Sequence, residues 1–100
     1  MHAGVMLHAM LRTACAPAAA KLAGKGARLR FHCNAPSEGR PWTAVVCVVD
    51  AGGWTSVLVH GAGASEDAAW RGCVMHALEK GFAQSWEELA LRAAAGGGPR

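Results

Sequence analysis

Residues 42–82 read WTAVVCVVDAGGWTSVLVHGAGASEDAAWRGCVMHALEKGF, and the expected architecture is built around this segment. It opens with an apolar run rich in β-branched residues, passes through a Gly-Gly turn and returns through a second apolar run. Glycines tolerate the positive φ angles of a tight turn between antiparallel strands. A loop of small residues, 61–64, then leads into a segment with helical periodicity. The segment therefore predicts a β-hairpin followed by a helix that packs across one face of the sheet.

The helix that follows the hairpin has a clear start and a clear stop. Ser65 is a good N-cap, and Glu66 and Asp67 place carboxylates in the first turn, where the helix dipole favours them. Gly81 suits the left-handed position after the last turn, and Phe82 can fold back in a Schellman motif. The stripe at helical spacing consists of Trp70, Cys73, Val74, Ala77 and Leu78. The sequence therefore predicts an amphipathic helix over 65–81.

Three strands are expected before this helix. The run 42–50 is apolar on both sides and should be the central strand. In the return strand, 54–60, alternation places Val57 and Val59 on the core side. The earlier segment, 27–34, alternates between the two groups Leu29, Phe31, Cys33 and Arg28, Arg30, His32, Asn34.

Helices are expected at both ends of the chain. An N-terminal helix over about 4–15 should end or kink at Pro17, because proline lacks a donor and clashes with the preceding turn. A short helical piece can resume at 18–23. Near the other end, Ser85 and Glu88 form an S-x-x-E capping box that opens a further helix.

These elements predict one small α+β domain in the order α-β-β-β-α-α, with a three-stranded antiparallel sheet and the main helix on one face. We expect a single domain over 1–95, followed by a disordered tail over 96–100. Its parts are a helical N-terminal segment over 1–25, a βββα core over 27–81 and a C-terminal helix over 85–95.

Charge and cysteine usage bear on partners and compartment. The net charge is +3, but residues 1–41 carry six Lys and Arg against one acidic residue, whereas 42–100 carry four against six. Such asymmetry fits either an anionic partner of the basic half or attraction between the two halves. The four cysteines are widely spaced and favour reduced thiols in a cytoplasmic protein. No stretch approaches the roughly 20 apolar residues of a membrane helix, so no membrane association is expected.

The element order resembles that of the double-stranded-RNA-binding domain over about residues 5–82. The local text SEGRP at 37–41, GAGAS at 61–65 and ALEK at 77–80 adds to the likeness. In that family the helix start carries lysines that grip phosphates across a groove. Here residues 65–69 read SEDAA and are acidic, so the resemblance predicts the fold without the phosphate grip.

The same topology is similar to that of HicB-type antitoxins. In those domains a glycine-bearing third strand leads to a loop and an acidic helix start, as the text VHGAGASEDAA does over 59–69. This resemblance implies a module that binds protein and oligomerises. We therefore expect protein contacts rather than catalysis.

No catalytic, cofactor or metal site is predicted. The pair Cys73-x-x-His76 has ligand spacing, but the second close pair of a zinc site is missing. Catalysis by Cys73 with His60 and Asp50 can be assembled, but no nucleophile lies in a recognisable elbow. The loop at 61–64 lacks the lysine of a phosphate cradle. We accordingly expect neither an enzyme nor a bound cofactor.

The face of the sheet turned away from the main helix is the candidate interaction surface. It should serve either as a contact between copies of the chain or with another protein, or as a platform for single-stranded nucleic acid, where bases stack and phosphates pair with Arg. Cover by the N-terminal helix is a further alternative. The protein contact is favoured, since one Trp and two Arg make a thin nucleic-acid platform. The residues assigned to this face are Arg28, Arg30, His32, Trp54, Ser56, Leu58 and His60.

Overall fold

The computed structural model describes residues 3–96 and has an α+β fold in the order α-β-β-β-α-α, which confirms the predicted class. The disordered tail was predicted over 96–100, but Gly96 is the last residue of the C-terminal helix. Residues 97–100 lie outside the described residues. The helices are α1 (Ala3–Ala23), α2 (Glu66–Glu79) and α3 (Trp86–Gly96). The strands β1 (Arg28–Asn34), β2 (Trp42–Val49) and β3 (Thr55–Gly63) form one antiparallel sheet in the order β1-β2-β3.

The hydrophobic core lies between one face of the sheet and the helices. α1 and α2 both pack on that face, and α3 packs on α1 and α2. The largest fully buried side chains come from all three helices and from β2 and β3: Met10, Leu11, Leu89, Val46, Val48, Val59, Val74, Cys15 and Cys73. The N-terminal helix therefore builds the core together with α2 and does not cover the opposite face of the sheet.

Both ends of α2 have the predicted chemistry. The Ser65 hydroxyl accepts a hydrogen bond from the Ala68 N–H at 3.0 Å, which satisfies one of the free donors of the first turn. At the other end Gly81 adopts φ 80°, and the Phe82 N–H donates to the Ala77 carbonyl at 2.9 Å. This is the Schellman arrangement, and the predicted limits of the helix are confirmed.

The capping box of α3 is confirmed in one of its two bonds. The Glu88 N–H donates to the Ser85 hydroxyl at 3.1 Å. The Glu88 carboxylate, however, accepts from the Gln84 N–H at 3.2 Å and not from that of Ser85. The helix thus begins where predicted, with the reciprocal bond shifted by one residue.

Of the two outcomes predicted at Pro17, an end or a kink, the end is wrong, because α1 is assigned as one helix from Ala3 to Ala23. Proline removes the donor to the Thr13 carbonyl, and its exposed ring lies on the outer side of the helix. Cys15 and Ala19, one on either side of it, are buried in the same core. Packing on both sides of the proline therefore holds the helix together across the missing bond.

The predicted loop at 61–64 is also wrong, because β3 extends to Gly63. A Cβ atom on Gly61 would collide with the Ala69 carbonyl oxygen, and one on Gly72 would lie 3.1 Å from the Gly61 Cα. The backbones of β3 and α2 therefore approach more closely than any side chain would permit. The two glycines serve this helix–sheet contact, and a loop is not needed to explain them.

A β-bulge at Leu58 changes the faces of β3. Val46 pairs with Val59 and Cys47 with Val57, so that Leu58 has no residue opposite it. Leu58 and Val59 are both buried, whereas Val57 is 56% exposed. The predicted inward position of Val57 and outward position of Leu58 are therefore wrong. An extra residue in one strand reverses the alternation on one side of the bulge.

Candidate interaction surface

One face of the sheet carries no helix among residues 3–96, and it is called the open face below. The strand register fixes which side chains share it. They form four rows across the sheet, with one residue from each strand: His32, Val45 and His60; Arg30, Cys47 and Val57; Arg28, Val49 and Thr55; Asn34, Thr43 and Ala62.

The open face is apolar in its centre and basic along one side. Cys47 and Val49, on the central strand, are each only 8% exposed. Next to them on β1, Arg28 and Arg30 are exposed, and Val57 on β3 presents an apolar side chain to solvent. None of the twelve residues in the four rows carries a carboxylate. The face therefore combines apolar contact area with unbalanced positive charge.

Four of the seven residues predicted for this face are brought together on it: Arg28, Arg30, His32 and His60. Leu58 is a correction, because it belongs to the core. Ser56 is another, because it pairs with Val48 on the helix side of the sheet. The sequence analysis missed Val57, and alternation alone could not have found it, since the bulge is not visible in the pattern.

Trp54 lies at the end of the sheet, directly before β3, and its side chain is 79% exposed. The turn that presents it is held by Asp50, whose carboxylate accepts the N–H groups of Gly52 and Trp54, each at 2.9 Å. Gly53 adopts φ 91°, as the predicted turn requires. The indole is therefore held out into solvent at the corner of the sheet.

The two edges of the sheet differ. On β3, the His60 N–H donates to His76 Nδ1 at 3.0 Å, and the Leu58 carbonyl accepts a hydrogen bond from Lys80 Nζ. Both partners come from α2 or its C-cap. No comparable side chain of residues 3–96 hydrogen-bonds to the backbone of β1. One edge is thus covered by the main helix and the other is open.

The candidate metal and nucleophile residues do not converge. The Cys73 thiol is buried and donates to the Ala44 carbonyl at 3.4 Å, while His76 Nδ1 is occupied by the His60 N–H. Within residues 3–96 no group of three or more His, Cys, Asp or Glu is placed to hold a metal ion. Burial raises the pKa of Cys73 to about 12 and that of Cys15 to about 11. Neither thiol is therefore a ready nucleophile at neutral pH.

An aromatic cluster that the sequence analysis did not identify joins α1, β1 and α2. The His8 ring lies 5.0 Å from the ring of Phe31 and 4.5 Å from that of Trp70, centre to centre. Burial, and secondarily the charge of Arg12, lowers the pKa of His8. A neutral imidazole between two apolar rings suits a packing role. A cavity of about 240 Å³ beside it is lined partly by Glu66.

Within the described part of the chain, none of the helices combines the length and apolar character that a membrane span requires. Comparison of the chain with protein-family models, curated proteins and solved structures found no match. The resemblances to the double-stranded-RNA-binding domain and to HicB-type antitoxins therefore stay predictions, supported by the residues quoted for them.

Proposed function

We propose that this protein is a small non-enzymatic interaction module of bacterial or phage type. It associates with itself through the uncovered part of the sheet, which consists of the open face and the β1 edge. One observation carries the proposal: α1 and α2 lie on one face of the sheet and α3 lies on those helices, which leaves the other face and the β1 edge uncovered. A sheet with apolar residues on both faces is normally covered on both.

The helix side offers no comparable surface among the described residues. Its exposed large apolar side chains are spread over three helices, with Val5 and Leu22 near opposite ends of α1, Met75 on α2 and Leu91 on α3. Scattered residues of this kind are normal on a soluble domain. On the open face, Val57 presents an exposed apolar side chain in one row with Cys47. The uncovered part of the sheet is therefore the better candidate for a contact.

Two further features support the non-enzymatic interpretation. The two most deeply buried thiols have raised pKa values, which leaves them protonated in the neutral range. The resemblance to HicB-type antitoxins also implies a module that binds protein and oligomerises.

All four cysteines are free, which suits a reducing cytoplasm.

Sedimentation equilibrium and hydrogen–deuterium exchange test the proposal together. At high micromolar concentration we expect at least twice the chain mass of 10.3 kDa. Comparison of dilute with concentrated protein should show added amide protection in the sheet, with α3 unchanged as the internal control. A mass of 10.3 kDa at every concentration, or protection confined to the helices, would contradict the proposal.

A second candidate function is binding of single-stranded nucleic acid. The observation that favours it is the charge of the open face, where Arg28 and Arg30 lie beside two histidines and no carboxylate. Bases can stack on an exposed indole such as that of Trp54 while Arg side chains pair with phosphates.

Fluorescence anisotropy with labelled single-stranded RNA and DNA tests this second function. Affinity should fall steeply with salt, because phosphate contacts release counterions. Arg30→Ala should weaken binding and reduce the salt slope by about one. Arg92→Ala, on α3, is the matched control and should leave both unchanged. Absence of binding at low salt would eliminate this candidate.

A further inference from the structure

The hydrogen-bonding direction of the open edge can be worked out from the hairpin. In an antiparallel strand, the N–H and C=O of successive residues point to opposite sides. The Asp50 N–H donates to the Trp54 carbonyl across the hairpin, so the even-numbered positions of β2 face β3. The odd-numbered positions then face β1, where their partners are Arg28, Arg30, His32 and Asn34.

The remaining residues of β1, namely Leu29, Phe31 and Cys33, therefore direct their N–H and C=O groups to the open edge. The His60 N–H bonds to His76 and not to β2. This supports the same assignment independently, because His60 lies opposite Val45, an odd-numbered residue of β2 that faces β1. Among the described residues no hydrogen bond to these outward groups is present. Each of the three presents one free donor and one free acceptor.

The open edge has little of the protection that keeps strand edges apart, because its only charged side chains, Arg28 and Arg30, lie on the open face. β1 has seven residues, contains no proline, and directs no charged side chain toward the core. Bulges, prolines and inward charges are the usual protection, and the β3 edge has both a bulge and covering side chains. The core-side residues Leu29, Phe31 and Cys33 are also only half-buried, because no further strand lies beside them.

We propose that β1 of a second copy of this chain adds antiparallel to this edge, giving a six-stranded sheet about a two-fold axis. The inference rests on the self-association proposed above and specifies the contact. Pairing must keep core-side residues on the core side, so only registers that shift by two are allowed. With Phe31 opposite Phe31 of the second copy, Leu29 faces Cys33, and all three outward residues of each copy find partners.

Charge favours this register over its neighbour. With Phe31 on the two-fold axis, Arg30 lies opposite His32 of the second copy. With Arg30 on the axis, two guanidinium groups would lie directly opposite each other, which destabilises a strand pair. That alternative would also leave part of β1 unpaired. With His32 on the axis, Arg30 would lie opposite Asn34, but Leu29 would lose its partner. The Phe31 register is therefore the one that pairs all three outward residues without opposing two guanidinium groups.

The helix layer beside this edge contains a groove and carries positive charge. A groove of about 360 Å³ lies between α1 and the start of β1, and its lining includes Ala16, Ala20 and Leu29. Arg12, on the same side of α1, lies 4.8 Å over the Phe31 ring. Two copies bring positive charge together here and at Arg30. Added salt should therefore strengthen the dimer by screening, the reverse of its effect on nucleic-acid binding.

A proline at an outward position is the first test. Leu29→Pro removes an N–H that the monomer does not use, and proline is tolerated on an edge strand when its N–H side faces solvent. We expect sedimentation equilibrium to give 10.3 kDa for Leu29→Pro and twice that mass for the wild type. Leu29→Ala loses the side chain but keeps the donor, and should stay dimeric. Circular dichroism shows whether the proline variant is folded.

The outcomes separate this inference from the function it rests on. If folded Leu29→Pro stays dimeric while Val57→Lys is monomeric, the copies meet through the open face; the edge contact is then overturned and self-association stands. If the wild type is monomeric at high micromolar concentration, both are overturned.

Disulfide cross-linking tests the register and does not depend on the proline variant. In the Phe31 register, Arg30 and His32 of the two copies form a pair without direct hydrogen bonds, in which Cα atoms are about 4.5 Å apart and can be bridged. Arg30→Cys combined with His32→Cys, with Cys33→Ser and Cys47→Ser, should oxidise to a covalent dimer. Arg30→Cys alone in that background should not. A covalent dimer from the single variant, or none from the double variant, would overturn the register.

Discussion

Replacement of Gly61 by alanine tests the close contact between β3 and α2. The new methyl group would meet the Ala69 carbonyl oxygen and the backbone of Gly72 and Cys73, none of which can rotate away as a side chain can. Overpacking costs typically about 1–3 kcal/mol, and a backbone obstacle places this change near about 3 kcal/mol. Alanine also restricts the unfolded chain, which offsets up to about 1 kcal/mol. The net destabilisation should be about 2 kcal/mol.

Urea and thermal unfolding measure this loss. About 2 kcal/mol should lower the Tm by about 8–16 °C in a domain of this size. Gly52→Ala is the matched control, because its methyl group would lie 3.4 Å from the Asp50 carboxylate, an ordinary contact, and its φ is not in the left-handed region. That variant should stay within about 0.5 kcal/mol of the wild type. If Gly61→Ala were as stable as Gly52→Ala, the proposed role of Gly61 would be refuted.

Two further changes follow from the structure. Ser65→Ala removes the acceptor of the Ala68 N–H at the start of α2 and should lower the free energy of unfolding by about 1 kcal/mol, measured by urea titration at neutral pH. The raised pKa values of Cys15 and Cys73 predict stability that is fully present below their ordinary value of 9.0 and is lost as pH rises toward about 11 and about 12. Unfolding midpoints should therefore fall from pH 9 upward, and a flat profile to pH 11 would contradict the protonated state of these thiols.

The parts of the fold that were predicted correctly depend on local chemistry. The cap at Ser65 and the Schellman end at Gly81 and Phe82 each involve side chains or glycine conformations within a few residues. The strand β1 was recognisable because its alternation has a period of two on a half-buried surface. These features can be predicted from the local sequence, without knowledge of what packs against the helix or strand.

The parts that were predicted wrongly depend on distant residues. Helix α1 passes through Pro17 because core packing on both sides of the proline compensates for one missing bond. The bulge at Leu58 is supported by Lys80, whose Nζ donates a hydrogen bond to the Leu58 carbonyl. Gly61 was interpreted as a loop residue, whereas in the structure it permits the close approach of the α2 backbone to β3. None of these partners is near in sequence.

The candidate surface was predicted in part for the same reason. The β1 residues Arg28, Arg30 and His32 kept their expected side of the sheet, since no bulge interrupts that strand. On β3 the bulge replaced Leu58 by Val57 on the open face. The open β1 edge was not predicted at all, because it depends on which helix covers which strand.

Residue-resolved amide exchange along β1 tests the central claim most directly. In dilute monomer, Arg30 and His32 bond to β2 and should exchange slowly, whereas Leu29, Phe31 and Cys33 should exchange rapidly. At high micromolar concentration we predict that these three amides become protected as well, which removes the alternation. Alternation that persists unchanged at every concentration would contradict association through this edge.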